Sequence, residues 1–103
     1  MTIKAIDIRQ GNCYIMNKDS CILAFKVGGI GVSLGKPLLR VHFERSVHID
    51  DRSIVLDISN TLIDPDNLVT EIEEKVLDKV FKIFSMHLNL TKNTLTNGIQ
   101  LHL

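Results

Sequence analysis

The sequence predicts an α+β fold: an antiparallel, curved β-sheet packed on one long amphipathic helix (about 64–88), closed by a C-terminal β-strand or hairpin. Two observations carry this. Apolar residues recur at period two up to about residue 60 and at period 3.6 from Asp64 onward. Polar turn residues also punctuate the first half at hairpin spacing. With 103 residues the chain is a single domain, 1–103, long enough to bury a core without a metal or disulfide staple.

The elements follow in order. Thr2 to Arg9 reads as a strand, with Ile3, Ile6 and Ile8 between charges. Asn12 to Met16 and Ser20 to Val27 flank the polar turn Asn17-Lys18-Asp19-Ser20 and form a hairpin, in which Cys21 faces Met16 rather than Cys13. Cys21, Leu23, Phe25 and Val27 share one face; Ile22, Ala24 and Lys26 share the other, so both faces are partly covered. Gly28 to Pro37 lacks helix composition and reads as a loop or irregular edge. Leu38 to Arg45 is a strand, with a bend at Ser46. A second hairpin, Ser46 to Asp50 and Ser53 to Ser59, turns at Asp51-Arg52. Asp64 suits a helix N-cap, Pro65 the first helical position, and Asp66 the positive helix end. Leu68, Ile72, Val76, Val80, Phe84 and Leu88 then recur at steps of four, widened by Val69, Leu77, Phe81 and Ile83. In the tail, Asn97-Gly98 is a hairpin turn signal and Ile99, Leu101 and Leu103 alternate as a returning strand.

Composition excludes several functions. Apolar residues are 45% and charged residues 23%, which excludes a disordered chain. Aromatic residues are 5% and Trp is absent, so a stacking platform for single-stranded nucleic acid is not expected. Net charge is zero, which argues against direct nucleic-acid binding. Lys4, Asp7 and Arg9 interrupt any signal-peptide segment, and the weakly charged stretch from Val27 to Gly35 is too short to cross a bilayer. Cys13 and Cys21 fit no zinc or CxxC spacing and read as reduced, half-buried thiols. These features point to a cytoplasmic protein without membrane contact.

No motif assembles a catalytic, cofactor or metal site. Gly35-Lys36 is followed by Pro37 rather than Ser or Thr, and the glycines miss the dinucleotide spacing. Asp64-x-Asp66-Asn67 resembles the opening of an EF-hand loop, but its sixth position is Val69. His42 and His48 are the best acid–base candidates and define one alternative, a small His-dependent nuclease. His87 and His102 match no zinc spacing. A second alternative is a homo-oligomeric structural or accessory protein of phage type, assembling through an exposed strand edge.

Charge distribution is more informative. Residues 1–49 hold seven basic and three acidic side chains, residues 50–78 two basic and nine acidic, and residues 79–103 three lysines. A neutral chain therefore carries a concentrated acidic segment, suited to docking a basic protein. The partner-binding residues expected are Asp50, Asp51, Asp57, Asp66, Glu71 and Glu74, converging if the second hairpin packs near the helix start. Ile49 and Leu62 are candidate apolar anchors.

In size, cytoplasmic character, missing catalytic motif and the acidic stretch from Asp50 to Asp78, the chain resembles small bacterial immunity proteins of contact-dependent growth inhibition systems. The resemblance implies a non-enzymatic inhibitor that covers the active site of a toxin domain, often a nuclease with a cationic substrate groove. Asp50, Asp51, Asp57, Glu71 and Glu74 would then stand where substrate phosphates bind.

Overall fold

Period-two alternation builds hairpins first, and hairpins need only short turns. The computed structural model describes residues 1–33, 35, 37–91 and 100–102. Its strands are β1 (Thr2–Lys4), β2 (Cys13–Lys18), β3 (Cys21–Val32), β4 (Leu39–Ile49), β5 (Ser53–Leu56), β6 (Asn60–Ile63), β7 (Leu68–Ile72) and β8 (Gln100–His102). A 3-10 turn (Ala5–Asp7) follows β1, and α1 spans Glu74–Thr91. The sheet is antiparallel and open, in the order β1-β7-β2-β3-β4-β5-β8, with β6 also on β4. The α+β class is as the sequence predicts.

Four local expectations change. The segment read as the first turns of a helix is a turn followed by β7, and the helix begins ten residues later, at Glu74 rather than Asp64. Asp64 Oδ1 accepts the N–H of Asp66 at 2.8 Å, and the Asp64 carbonyl accepts the N–H of Asn67 at 3.0 Å. An Asp-Pro-Asp-Asn sequence serves such a turn as well as it serves a helix start. The strand reading of Thr2 to Arg9 is cut short by the 3-10 turn, where Ala5 N–H bonds to Asn67 C=O at 2.7 Å. The first hairpin turns on Asp19-Ser20 alone, so Cys21 pairs with Lys18 and Met16 with Leu23; Cys13 and Cys21 are both free thiols. Of the two readings of the glycine segment, the loop fails and the irregular strand holds for Gly28 to Val32, which continues β3 against β4 with Gly28 bulged.

β4 organises the rest. It runs unbroken through Ser46, while the chain opposite it breaks between β5 and β6. β5 pairs with Val47–Ile49 and β6 with Leu39–His42. In the β3–β4 ladder, Lys26 pairs with Arg45 and Val27 with Phe43, leaving Glu44 as an extra residue. Val27 and Gly29 then pair with Phe43 and His42, leaving Gly28 as an extra residue on β3. A Cβ on Gly28 would lie 3.2 Å from Glu44 Cγ, so the double bulge is tight enough to favour glycine there.

An extra residue reverses which face the following side chains occupy. Leu39, Val41 and Phe43 pack in one core with Ala5, Ile8, Tyr14, Leu23, Phe25, Val27, Ile63 and Val69. This core joins β1 and β7 to β4 and β6, from well-separated places in the sheet order, so the sheet curls over it. Past the bulge, Val47 belongs to a second core with Cys13, Ala24, Ile54, Leu56 and Leu77, backed by Ile15, Ile49, Ile72, Val80, Phe81 and Phe84. The helix covers this second core only. The curvature thus encloses the sheet's own side chains, where the sequence suggested curvature around the helix. Among the helical residues whose burial is described, Leu77 is fully buried, whereas Val76 and Ile83, both assigned to the expected apolar stripe, are exposed. β8 returns to the sheet on β5, as expected of the tail; the Asn97-Gly98 turn lies outside the described residues.

Candidate functional site

Antiparallel strands joined by short turns place alternate turns at one end of a sheet. Lys18 pairs with Cys21 across the β2–β3 turn, and Ile22 pairs with Ile49, the last residue before the β4–β5 turn. On the other flank, Lys18 Nζ donates to Asn67 Oδ1 at 3.5 Å, bringing in the β6–β7 turn. Three turns therefore form one rim. They carry Asp64 and Asp66, Asp19, and Asp50 and Asp51. From β7 to β4 the rim crosses three strand spacings, about 15 Å.

The carboxylates on it differ in role. Asp50 Oδ1 accepts the N–H groups of Arg52 at 2.8 Å and Ser53 at 2.7 Å, and the Ser53 hydroxyl at 3.3 Å. The backbone bonds from Arg52 and Ser53 hold its carboxyl below the usual aspartate range. Asp50 is thus a negative charge that also fixes the turn. Asp51 is exposed at the tip. Asp66 is exposed, with Lys4 Nζ at 3.7 Å. Asp19 sits in the left-handed region at φ 51°, a conformation short polar side chains tolerate in two-residue hairpin turns. A shallow recess beside the rim is lined by Met16, Asn17, Lys18, Asp66, Asn67 and Leu68. Leu68, 62% exposed, is an apolar side chain within it.

The remaining expected binding residues lie elsewhere. Asp57 is exposed in the break between β5 and β6, at φ 57°. Glu71 lies on β7 opposite Tyr14 and accepts a hydrogen bond from Asn12 Nδ2 at 3.1 Å. The second hairpin does pack against the helix start, through Val47, Ile54, Leu56 and Leu77. Glu71 is on β7 instead, with β4, β3 and β2 between it and β5, so it does not converge with Asp50 and Asp51. Glu74 opens the helix and is committed to Lys26, which also meets Glu44 at 3.2 Å. Those two carboxylates, Glu74 first, hold the Lys26 ammonium well above the ordinary lysine range. Arg45 completes this inward-tied cluster: it bonds Asp78 at 2.9 Å and lies 4.3 Å over the Phe81 ring. Of the candidate anchors, Ile49 packs against the helix-side core and Leu62 is half-buried on β6.

Sequence reasoning missed Asp19 and Asp64 as rim residues. Asp19 was legible only as a turn residue and Asp64 only as a helix cap; neighbourhood across the sheet supplies the rest.

The alternative acid–base pair is not brought together. His48 pairs with Leu23, on the face of the curled core, and His42 pairs with Gly29, whose neighbour Ile30 carries that face. The Glu44 bulge therefore sends the two imidazoles to opposite faces, six residues or about 20 Å apart along the strand. Gly29 and Gly31 lie in the β3–β4 ladder, paired with His42 and Arg40, rather than in a phosphate-cradling loop. Burial, with Glu74 second, pushes the Cys13 thiol up, the reverse of what a nucleophile needs. Among the described residues no group of three His, Cys, Asp or Glu is placed to hold a metal ion, and no helix is long and apolar enough to cross a membrane. No family model matches the chain, and no match was found among curated proteins or solved structures.

Proposed function

We propose that this chain is a non-catalytic protein-binding module that neutralises a basic partner, a toxin domain of the contact-dependent inhibition kind, by docking the turn rim over its active site. The observation that carries the reading is the meeting of Asp19, Asp50, Asp51, Asp64 and Asp66 on three neighbouring turns. Carboxylates at such a rim steer a cationic groove and raise the association rate at low salt. Affinity needs an apolar anchor inside the charged ring, and Leu68 beside Met16 supplies one. Glu74 and Asp78, tied to Lys26 and Arg45, contribute to stability instead.

The test uses the product of the neighbouring gene as the partner, with toxin activity as the first thing measured. Asp51→Lys with Asp66→Lys slows association by about tenfold or more at low salt and flattens its salt dependence. Glu71→Lys, away from the rim, leaves the rate near the parental value. Equal rates for the parent and the rim variant across a salt series would refute the docking mode. A neighbouring gene product that never binds would refute the toxin-neutralising function.

A further inference from the structure

We propose that two copies of this chain pair through the free edge of β3, antiparallel to each other across Gly31. On one side β3 is paired with β4 from Ile22 to Val32, apart from the bulged Gly28. On the other side its partner β2 ends at the Cys13–Lys26 pair. The last bonds there are Gly11 N–H to Val27 C=O at 2.8 Å and Val27 N–H to Asn12 C=O at 3.0 Å. Beyond Val27 no strand adjoins this side among the described residues.

Which groups stand open follows from the ladder. Ser33 N–H donates to Leu38 C=O at 3.3 Å, so Ser33 faces β4. Backbone direction alternates along a strand, so Gly31 and Gly29 also face β4 while Ile30 and Val32 face outward. Ile30 and Val32 thus each present an N–H and a C=O with no neighbouring strand. Past the bulge at Gly28, the edge Gly29-Ile30-Gly31-Val32 has no lysine, no proline and no charge to blunt it. Val32 is 81% and Ile30 45% exposed.

A second copy fits this edge better than a charged partner. With a two-fold axis at Gly31, Ile30 of one copy lies opposite Val32 of the other, and the pair repeats by symmetry. Both outward residues of each copy then exchange N–H···O bonds with the partner. Ile30 and Val32 lie on one sheet face, so each meets an aliphatic side chain across the seam. At the axis the two strands approach most closely, and glycine leaves room. The basic partner proposed above finds no charge here, and the acidic rim stays free.

Sedimentation equilibrium of the full chain tests this. The parent's average mass rises toward the dimer value between about 10 µM and about 1 mM, as suits a small interface. Val32→Lys weakens the dimer by about tenfold or more. Ile30→Pro does the same by removing an outward N–H while leaving the β4 ladder intact; should it fail to fold, Val32→Lys decides. Asp51→Lys with Asp66→Lys leaves dimerisation unchanged, which separates this proposal from the docking rim. A parent that stays monomeric throughout overturns self-pairing, as does a dimer that persists in Val32→Lys. Loss of toxin binding in Ile30→Pro with a monomeric parent would assign the edge to a partner strand and also overturn it.

Discussion

Ser46 Oγ donates to the carbonyl of Ile58 at 3.1 Å from a fully buried position. The bond bridges the gap between β5 and β6, where the chain leaves the ladder. Asp57 N–H still reaches Ser46 C=O at 2.9 Å, and Phe43 N–H reaches Ser59 C=O at 2.9 Å. A hydroxyl at position 46 therefore substitutes for a ladder bond the break removes.

Ser46→Ala removes the hydroxyl that this part-buried carbonyl accepts from. We expect a loss of about 1–3 kcal/mol, read from the urea midpoint at unchanged m-value. A variant as stable as the parent would show that water satisfies Ile58.

The boundary between strand and helix gives a second prediction. If residues 68–72 form a strand, neighbours alternate between exposed and buried: Leu68 is 62% exposed and Val69 1%. Leu68→Lys should then change stability by less than about 0.5 kcal/mol, and Val69→Ala should cost about 1–3 kcal/mol. A helix from Asp64, with Leu68 on its buried stripe, predicts a large cost at Leu68.

Acid titration gives a third. The Asp50 carboxyl is held below its ordinary value near 3.8 by backbone bonds from Arg52 and Ser53. A depressed folded-state pKa means that the stabilisation is complete above the unfolded value and disappears as pH falls through the folded one. Asp50→Asn should thus be less stable than the parent at neutral pH, with the gap closing as pH drops below about 3.8. Urea midpoints at a series of pH values measure this; a gap constant down to strongly acidic pH would contradict it.

Much of the fold was legible because alternation is local. The hairpin of β2 and β3, with Leu23, Phe25 and Val27 on one face and Ala24 and Lys26 on the other, follows from period two alone. The helix start was not, because Leu68, Ile72, Val76 and Val80 keep a four-residue step across a strand, a junction and a helix. Glycine propensity misled at Gly28–Gly31, where pairing with β4 overrides it. The site was partly legible: Asp50, Asp51 and Asp66 were identified by charge, but which turns lie side by side depends on pairing between distant segments.

That dependence also shapes the order of events in the cell. Among the described residues β1 pairs only with β7, Thr2 opposite Thr70 and Lys4 opposite Leu68. β1 must therefore wait for residues near 70 before it finds this neighbour, a delay of several seconds at about 5–20 residues per second of translation. Until then Ile3, Ala5 and Ile8 lack Val69 and Ile63 to pack against. Long-range pairing of this kind slows folding. The curled core should close late, after the β2–β3–β4 meander has formed, and a nascent chain stalled before residue 68 should leave the segment from Thr2 to Ile8 open to proteases.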